Sequence, residues 1–220
     1  MTARQAFGAP RARVTVAILV ITTVVSLPFL MRSQFGFDIA DSLAQINVVV
    51  EDGELWRLLT AALLHANFTH ILFNMWALWV FGPQLEQRYG AVPFLSLYIA
   101  SALAGGAAFF LLEPAGLAVG ASGAIFGLFG AWFHAGYSSR HTPAGRNLFN
   151  QLVFLLAINA ALPLFIGNIA WQAHAGGFGA GFLIAAVWTR WADGTDNPTV
   201  SRTLTAAGVA VAAVLVVVVG

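Results

Sequence analysis

The chain has 220 residues, of which 59% are hydrophobic and 9% charged, with a net charge of +1 and no cysteine. A soluble domain usually carries about 25% charged residues, so this composition points to a chain that crosses a membrane several times. The near-zero net charge offers no basic patch for nucleic acid, and the lack of cysteine removes disulfides, zinc–thiolate sites and a thiol nucleophile.

Residues 1–13 read as a short polar tail carrying Arg4, Arg11 and Arg13. Val14 to Met31 is the first apolar run, about as long as a bilayer core requires. Positive charge ahead of it also fits a secretory signal peptide; no clear small-x-small cleavage site closes the run, so a retained signal-anchor is expected. Residues 32–66 form a long connection with Asp38, Asp41, Glu51, Asp52 and Glu54. Its last part, Trp56 to Leu64, has apolar spacing that suits a short helix lying on the membrane surface. An interfacial tryptophan with a snorkelling arginine is one reading of Trp56-Arg57.

A second span is predicted over Asn67–Phe81, ending before Gly82-Pro83, and a third over Val92–Leu112. The fourth begins near Ser122 and ends near Tyr137. The fifth runs from Leu148 to Ile166 and the sixth from His174 to Trp191. Residues 192–203 are a polar linker, and residues 204–220 a seventh, Ala/Val-rich span. The expected fold is all-α and polytopic: a six-span core over residues 14–191 plus one extra C-terminal transmembrane helix. Alternating the spans puts Arg4, Arg11, Arg13, Arg88, Arg140, Arg146, Arg190 and Arg202 on one side and only Arg32 and Arg57 on the other. That bias makes the first side cytoplasmic, and brings the first turns of spans two, four and six to one depth near the outer surface.

Elimination narrows the chemistry. No acid falls inside any predicted span, which excludes an intramembrane aspartyl pair. His65 and His70 are five apart with no acid between, unlike a helical zinc motif, and no metal or cofactor is expected. What remains within or beside the spans is Ser122, His174, His70 and Asn74; His65 precedes its span and is given no more than a supporting role. Between Glu113 and Arg140, and between Arg146 and Arg190, there is no charged residue. Ser122 opens one of these stretches, within Gly120-Ala121-Ser122-Gly123, and His174 opens a span in the other. A serine hydroxyl needs a base within hydrogen-bond reach to become a nucleophile. Gly123 and Gly127 on one span, and Gly177 and Gly181 on the other, form small-xxx-small faces that let two backbones approach closely. The same glycines could simply pack helices, with the serine and histidine bonding across them.

The two signatures G-x-S-G and A-H-x-x-G-x-x-x-G, read here at Gly120–Gly123 and Ala173–Gly181, resemble those of the rhomboid family of intramembrane serine proteases. The resemblance covers roughly residues 56–191. It implies a Ser122 nucleophile and a His174 general base acting as a dyad, with no carboxylate partner. It implies a supporting aromatic at Phe126, one turn after the serine, packing on the histidine; ordinary core packing is the other reading. His70 and Asn74, four apart on one helix face, match the family's His-x-x-x-Asn, implying an oxyanion site completed by the backbone N–H of Ser122; helix-to-helix polar bonding is the alternative. Trp56-Arg57 matches the family's long, half-embedded first loop. The implied partners are transmembrane substrates, entering from the bilayer past the fifth span under a cap at Gly167–Ala173 with Trp171. The implied location is the plasma membrane, with the site open to the outer face. A catalytically inactive relative that binds transmembrane segments is the alternative.

Overall fold

The computed structural model describes residues 12–164, 167 and 169–219. A helix occupies each of the seven predicted spans: α1 (Arg13–Leu30), α5 (Phe68–Tyr89), α6 (Ala91–Leu112), α7 (Ser122–Ser138), α8 (Pro143–Ala161), α9 (Trp171–Arg190) and α10 (Pro198–Val219). The long first connection holds three short helices, α2 (Gln34–Leu43), α3 (Asn47–Glu51) and α4 (Arg57–Thr60). The described strands are β1 (Gln45–Ile46) and β2 (Leu117–Ala118), one short antiparallel pair in which Gln45 faces Ala118. The chain is all-α in substance. The expected tail with Arg4 and Arg11, residues 165 and 166 at the end of the expected fifth span, and residue 168 of the expected cap lie outside the described residues.

Among the described residues, four helices are long and apolar enough to cross a membrane alone: α1, α6, α8 with its continuation to Leu164, and α10. The pair Arg57–Leu63 and Phe68–Tyr89, bent by 98°, counts as a fifth. The helices carrying Ser122 and His174 are not among them. They are rich in glycine and alanine and pack chiefly against protein, where lipid-grade hydropathy is not required.

The core is apolar, built around Leu78, Phe94, Leu97, Leu128 and Trp188, but the first helix turns polar side chains toward it. On α1 the buried residues are Thr15, Thr22 and Ser26, while Val20, Ile21 and Val24 are exposed. Lipid solvates the aliphatic side chains as well as a protein core does, so α1 can turn polar residues inward; Thr15 and Ser26 find hydrogen-bond partners there, whereas the buried Thr22 hydroxyl has none among the described residues. α6 runs through the centre and is half buried. α7 and α9 pack on it and on each other, and α10 covers another part of α6.

The helices of the fifth and seventh spans begin earlier than the sequence reading has them, at Pro143 and at Pro198, the latter inside the expected 192–203 linker; three further differences have physical causes. The second span does not stop at Gly82-Pro83 but continues to Tyr89. Gly82 lets α1 approach, since a β-carbon there would sit 2.8 Å from Thr15 Cγ2. One turn on, Glu86 is buried and accepts from the Val14 and Thr15 amides and the Thr15 hydroxyl at 2.7–2.9 Å. These are first-turn donors of α1 that need an outside acceptor, so an acid does sit inside a helix predicted to hold none. Second, α4 and the 3-10 turn Ala61–Leu63 do not lie on a surface: Leu58 is 2% exposed, and a β-carbon on Gly106 of α6 would meet its carbonyl at 2.9 Å. Third, Trp171 and Gln172 belong to α9 rather than to a loop.

Candidate active site

Ser122 is placed by a turn that only glycine fits. Gly120 has φ +132°, a region L side chains rarely adopt, and its amide donates to Ala61 O at 2.9 Å. A β-carbon there would also lie 2.8 Å from His70 Nε2 and 3.7 Å from Ser122 Oγ. The missing side chain thus leaves a space bounded by the imidazole and the hydroxyl. Ser122 is the first residue of α7, whose N-terminus has no side-chain cap. The first amides of such a helix have no partner within it and carry partial positive charge.

His174 lies in the first turn of α9, its amide bonded to Ala170 O at 3.3 Å. Its Nε2 is 2.9 Å from Ser122 Oγ, a hydrogen bond across 52 residues of sequence. The glycines make that distance possible. A β-carbon on Gly177 would collide with the Gly123 carbonyl, and one on Gly181 with the Gly127 carbonyl. Gly127 is also closed in by Ser101 of α6. Backbone therefore meets backbone, and the two side chains at the helix starts converge. Phe126 stacks on the His174 ring with centroids 4.2 Å apart and planes 8° from parallel. Among the described residues no carboxylate is hydrogen-bonded to His174.

His70 and Asn74 share one face of α5. Asn67 caps that helix, its Oδ1 accepting from the His70 amide at 2.8 Å. Asn74 is buried, and its side-chain amide donates to the His70 carbonyl at 3.0 Å. That bond uses one of its two N–H groups. His70 borders the Gly120 space directly; Asn74 lies one turn below it and makes no hydrogen bond to Ser122. A cavity of about 30 Å³, lined by Gln45, Gly106, Gly120 and Ser122 among others, adjoins the serine. It is about the size one water requires.

Trp56 and Arg57 part company. Trp56 is exposed, with its Nε1 3.4 Å from Ser42 O. Arg57 does not snorkel: it is 6% exposed, paired with Glu54 at 2.7 Å, and donates to the Asp41 and Ala44 carbonyls at 2.6 and 2.8 Å. It ties the first loop to itself beside the cavity. No group of three metal-ligating side chains occurs among the described residues.

The sequence reading gave His65 no more than a supporting role and did not single out Gln172. His65 is fully buried beneath the Gly120–Ser122 turn, 4.9 Å from the His70 ring, and is bonded to Ser26 of α1. Gln172 of α9 is buried and donates to Glu113 at the end of α6, 3.1 Å away. Their partners are distant in sequence, so no local pattern signals them.

Comparison with known proteins gives a consistent picture. Residues 52–191 match the model of the Rhomboid domain. The chain is 36% identical over 169 residues to the Bacillus subtilis (strain 168) protein named "Putative rhomboid protease YdcA", covering 76% of this chain and 84% of that protein. It is 35% identical over 176 residues to Rhomboid protease GluP of the same organism, covering 78% of this chain and 34% of GluP. It is 38% identical over 144 residues to RHOMBOID-like protein 1 of Arabidopsis thaliana, covering 65% of this chain and 37% of that protein. The chain therefore spans most of one relative and about a third of each of the others.

Proposed function

The chain belongs to the rhomboid family and is an integral membrane protein, and on that premise we propose that it is a serine endopeptidase that hydrolyses peptide bonds in or next to transmembrane segments. What carries the reading is the 2.9 Å hydrogen bond between Ser122 Oγ and His174 Nε2 on two helices locked by glycines. His174 takes the hydroxyl proton as Ser122 attacks the substrate carbonyl, then returns it to the leaving amine. Water adds to the acyl-enzyme by the same route in reverse.

The oxyanion needs donors aimed at where charge develops. The Ser122 amide at the uncapped start of α7, the His70 ring across the Gly120 space and the remaining Asn74 N–H supply them. The stacked Phe126 holds the imidazole plane where triad enzymes use a carboxylate. Gly120, Gly123, Gly127, Gly177 and Gly181 support the pair by the close approaches described above, and Arg57 supports it by fixing the first loop. Trp56, exposed at the loop surface, has no direct link to the reacting groups.

The arginine bias puts the N-terminus in the cytoplasm and the site near the outer face of the plasma membrane. Cleavage then occurs toward the outer end of the substrate's span. Residues 14–191 act as the catalytic core, and α10 supports it through α6.

The test compares new protein N-termini in membranes holding wild-type or Ser122→Ala protein. Wild type is expected to generate termini near the outer ends of transmembrane segments, and the variant none of them. Asn74→Ala should lower kcat by up to about 10²-fold with little change in KM. Identical termini in the two membranes would refute the proposal.

A further inference from the structure

We propose that His65 and Ser26 are positioning residues for the nucleophile, joined in a hydrogen-bonded relay that runs from the first membrane helix to the Gly120–Ser122 turn. The inference rests on the function proposed above. It concerns a fully buried imidazole that the reaction itself does not use, and a helix that lies outside the matched Rhomboid domain.

The relay has three bonds. The Ala121 amide, one residue before the nucleophile, lies 3.4 Å from His65 Nε2 and donates to it. His65 Nδ1 is 3.1 Å from Ser26 Oγ. The Ser26 hydroxyl donates in turn to Leu63 O at 2.8 Å. Both ends of the ring dictate the same tautomer. Nε2 must be bare, because it accepts from an amide. Nδ1 must carry the proton, because the single Ser26 hydrogen is already spent on Leu63. His65 is thus a neutral, Nδ1-protonated ring with both nitrogens satisfied.

The consequence for the turn is definite. The Gly120 amide is held by Ala61 O, and the Ala121 amide by His65. Ser122 then has the first amide of the turn left free for an incoming oxyanion. Ala61 and Leu63 lie in the 3-10 turn just before His65, so the turn, the ring and α1 form one mount. Its direction sets where Ser122 Oγ points relative to His174. The edge-on contact of the His65 and His70 rings places the proposed oxyanion donor against the same mount.

A side-chain amide can imitate this ring, since its oxygen accepts and its nitrogen donates at a similar separation. His65→Gln should therefore keep kcat within about 3-fold of wild type. His65→Leu should lower kcat by about 10- to 100-fold at nearly unchanged KM, as a misaimed nucleophile does. Ser26→Ala, which removes the outer link alone, should cost roughly 3-fold in kcat. A histidine that merely filled space would be served at least as well by Leu as by Gln, and one that only held the fold would lower the amount of inserted protein rather than its kcat. Nitrogen-15 spectra of the intact protein, with the His65 signals assigned by their loss in His65→Gln, should show Nδ1 protonated and Nε2 bare.

An Nε2-protonated or doubly protonated ring overturns the relay, even if a variant fails to insert. So does a wild-type kcat in His65→Leu, or a Gln variant as impaired as the Leu variant. If the wild-type protein cleaves nothing, the proposed function fails instead, and the tautomer still decides the relay.

Discussion

The two faces of α7 are built in opposite ways. Toward α9 it presents Gly123, Gly127 and Gly130; a β-carbon on Gly130 would strike the Phe178 carbonyl, and one on Gly177 or Gly181 of α9 the carbonyl of Gly123 or Gly127. Toward α8 it presents aromatic rings: Phe133 and Tyr137 meet Phe149 edge-on at 5.2 and 5.9 Å. α8 is buried only at Gly145 and Leu152, both in its first half; from Val153 to Leu164 no residue is buried. One interface is rigid because backbone cannot yield, and it holds the Ser122–His174 pair. The other holds α8 at Gly145 and Leu152 and leaves the rest of that helix exposed or half-buried. Hydropathy alone distinguishes them poorly, because lipid and protein are equally apolar partners. What separates them is residue size at the contact.

This contrast gives a graded series. Gly177→Val should have the largest effect, because the added carbons have no space beside the Gly123 carbonyl. Overpacking of this kind costs about 3 kcal/mol, and it should abolish cleavage by pushing Ser122 and His174 apart. Leu152→Ala, at the anchor of α8, should cost about 2 kcal/mol while leaving part of the activity. Phe154→Ala, at a position 65% exposed on the unburied half, should change stability by less than about 0.5 kcal/mol and leave kcat near wild type. Thermal melts in detergent and cleavage of a transmembrane reporter measure all three. A destabilisation by Phe154→Ala as large as that of Leu152→Ala would break the distinction between the two halves of α8.

The seven helices and the Ser122–His174 pair were legible because their signals are local. An apolar run records a span, and a serine or histidine followed by glycines four apart records a helix start with a close-packing face. The remainder depended on partners far along the chain. Glu86 looked like a loop acid, yet it is buried because the first turn of α1 offers it amides 71 and 72 residues away. Arg57 looked like a membrane-surface cation, yet it bonds back to carbonyls at Asp41 and Ala44. His65 and Ser26 are 39 residues apart, and nothing in the sequence around either one points to the other. Pro83 suggested a helix end, but the α1 contacts on both sides of it keep the last turns helical.

The proposed chemistry requires that His174 activate Ser122. The most direct measurement is covalent labelling of the membrane-inserted protein with a fluorophosphonate, followed by peptide mass spectrometry. One adduct is expected, on Ser122, absent in Ser122→Ala and formed at least about 10²-fold more slowly in His174→Ala, since a positioned general base is worth that much. An adduct on a different residue, or labelling of Ser122 at an unchanged rate without His174, would contradict it.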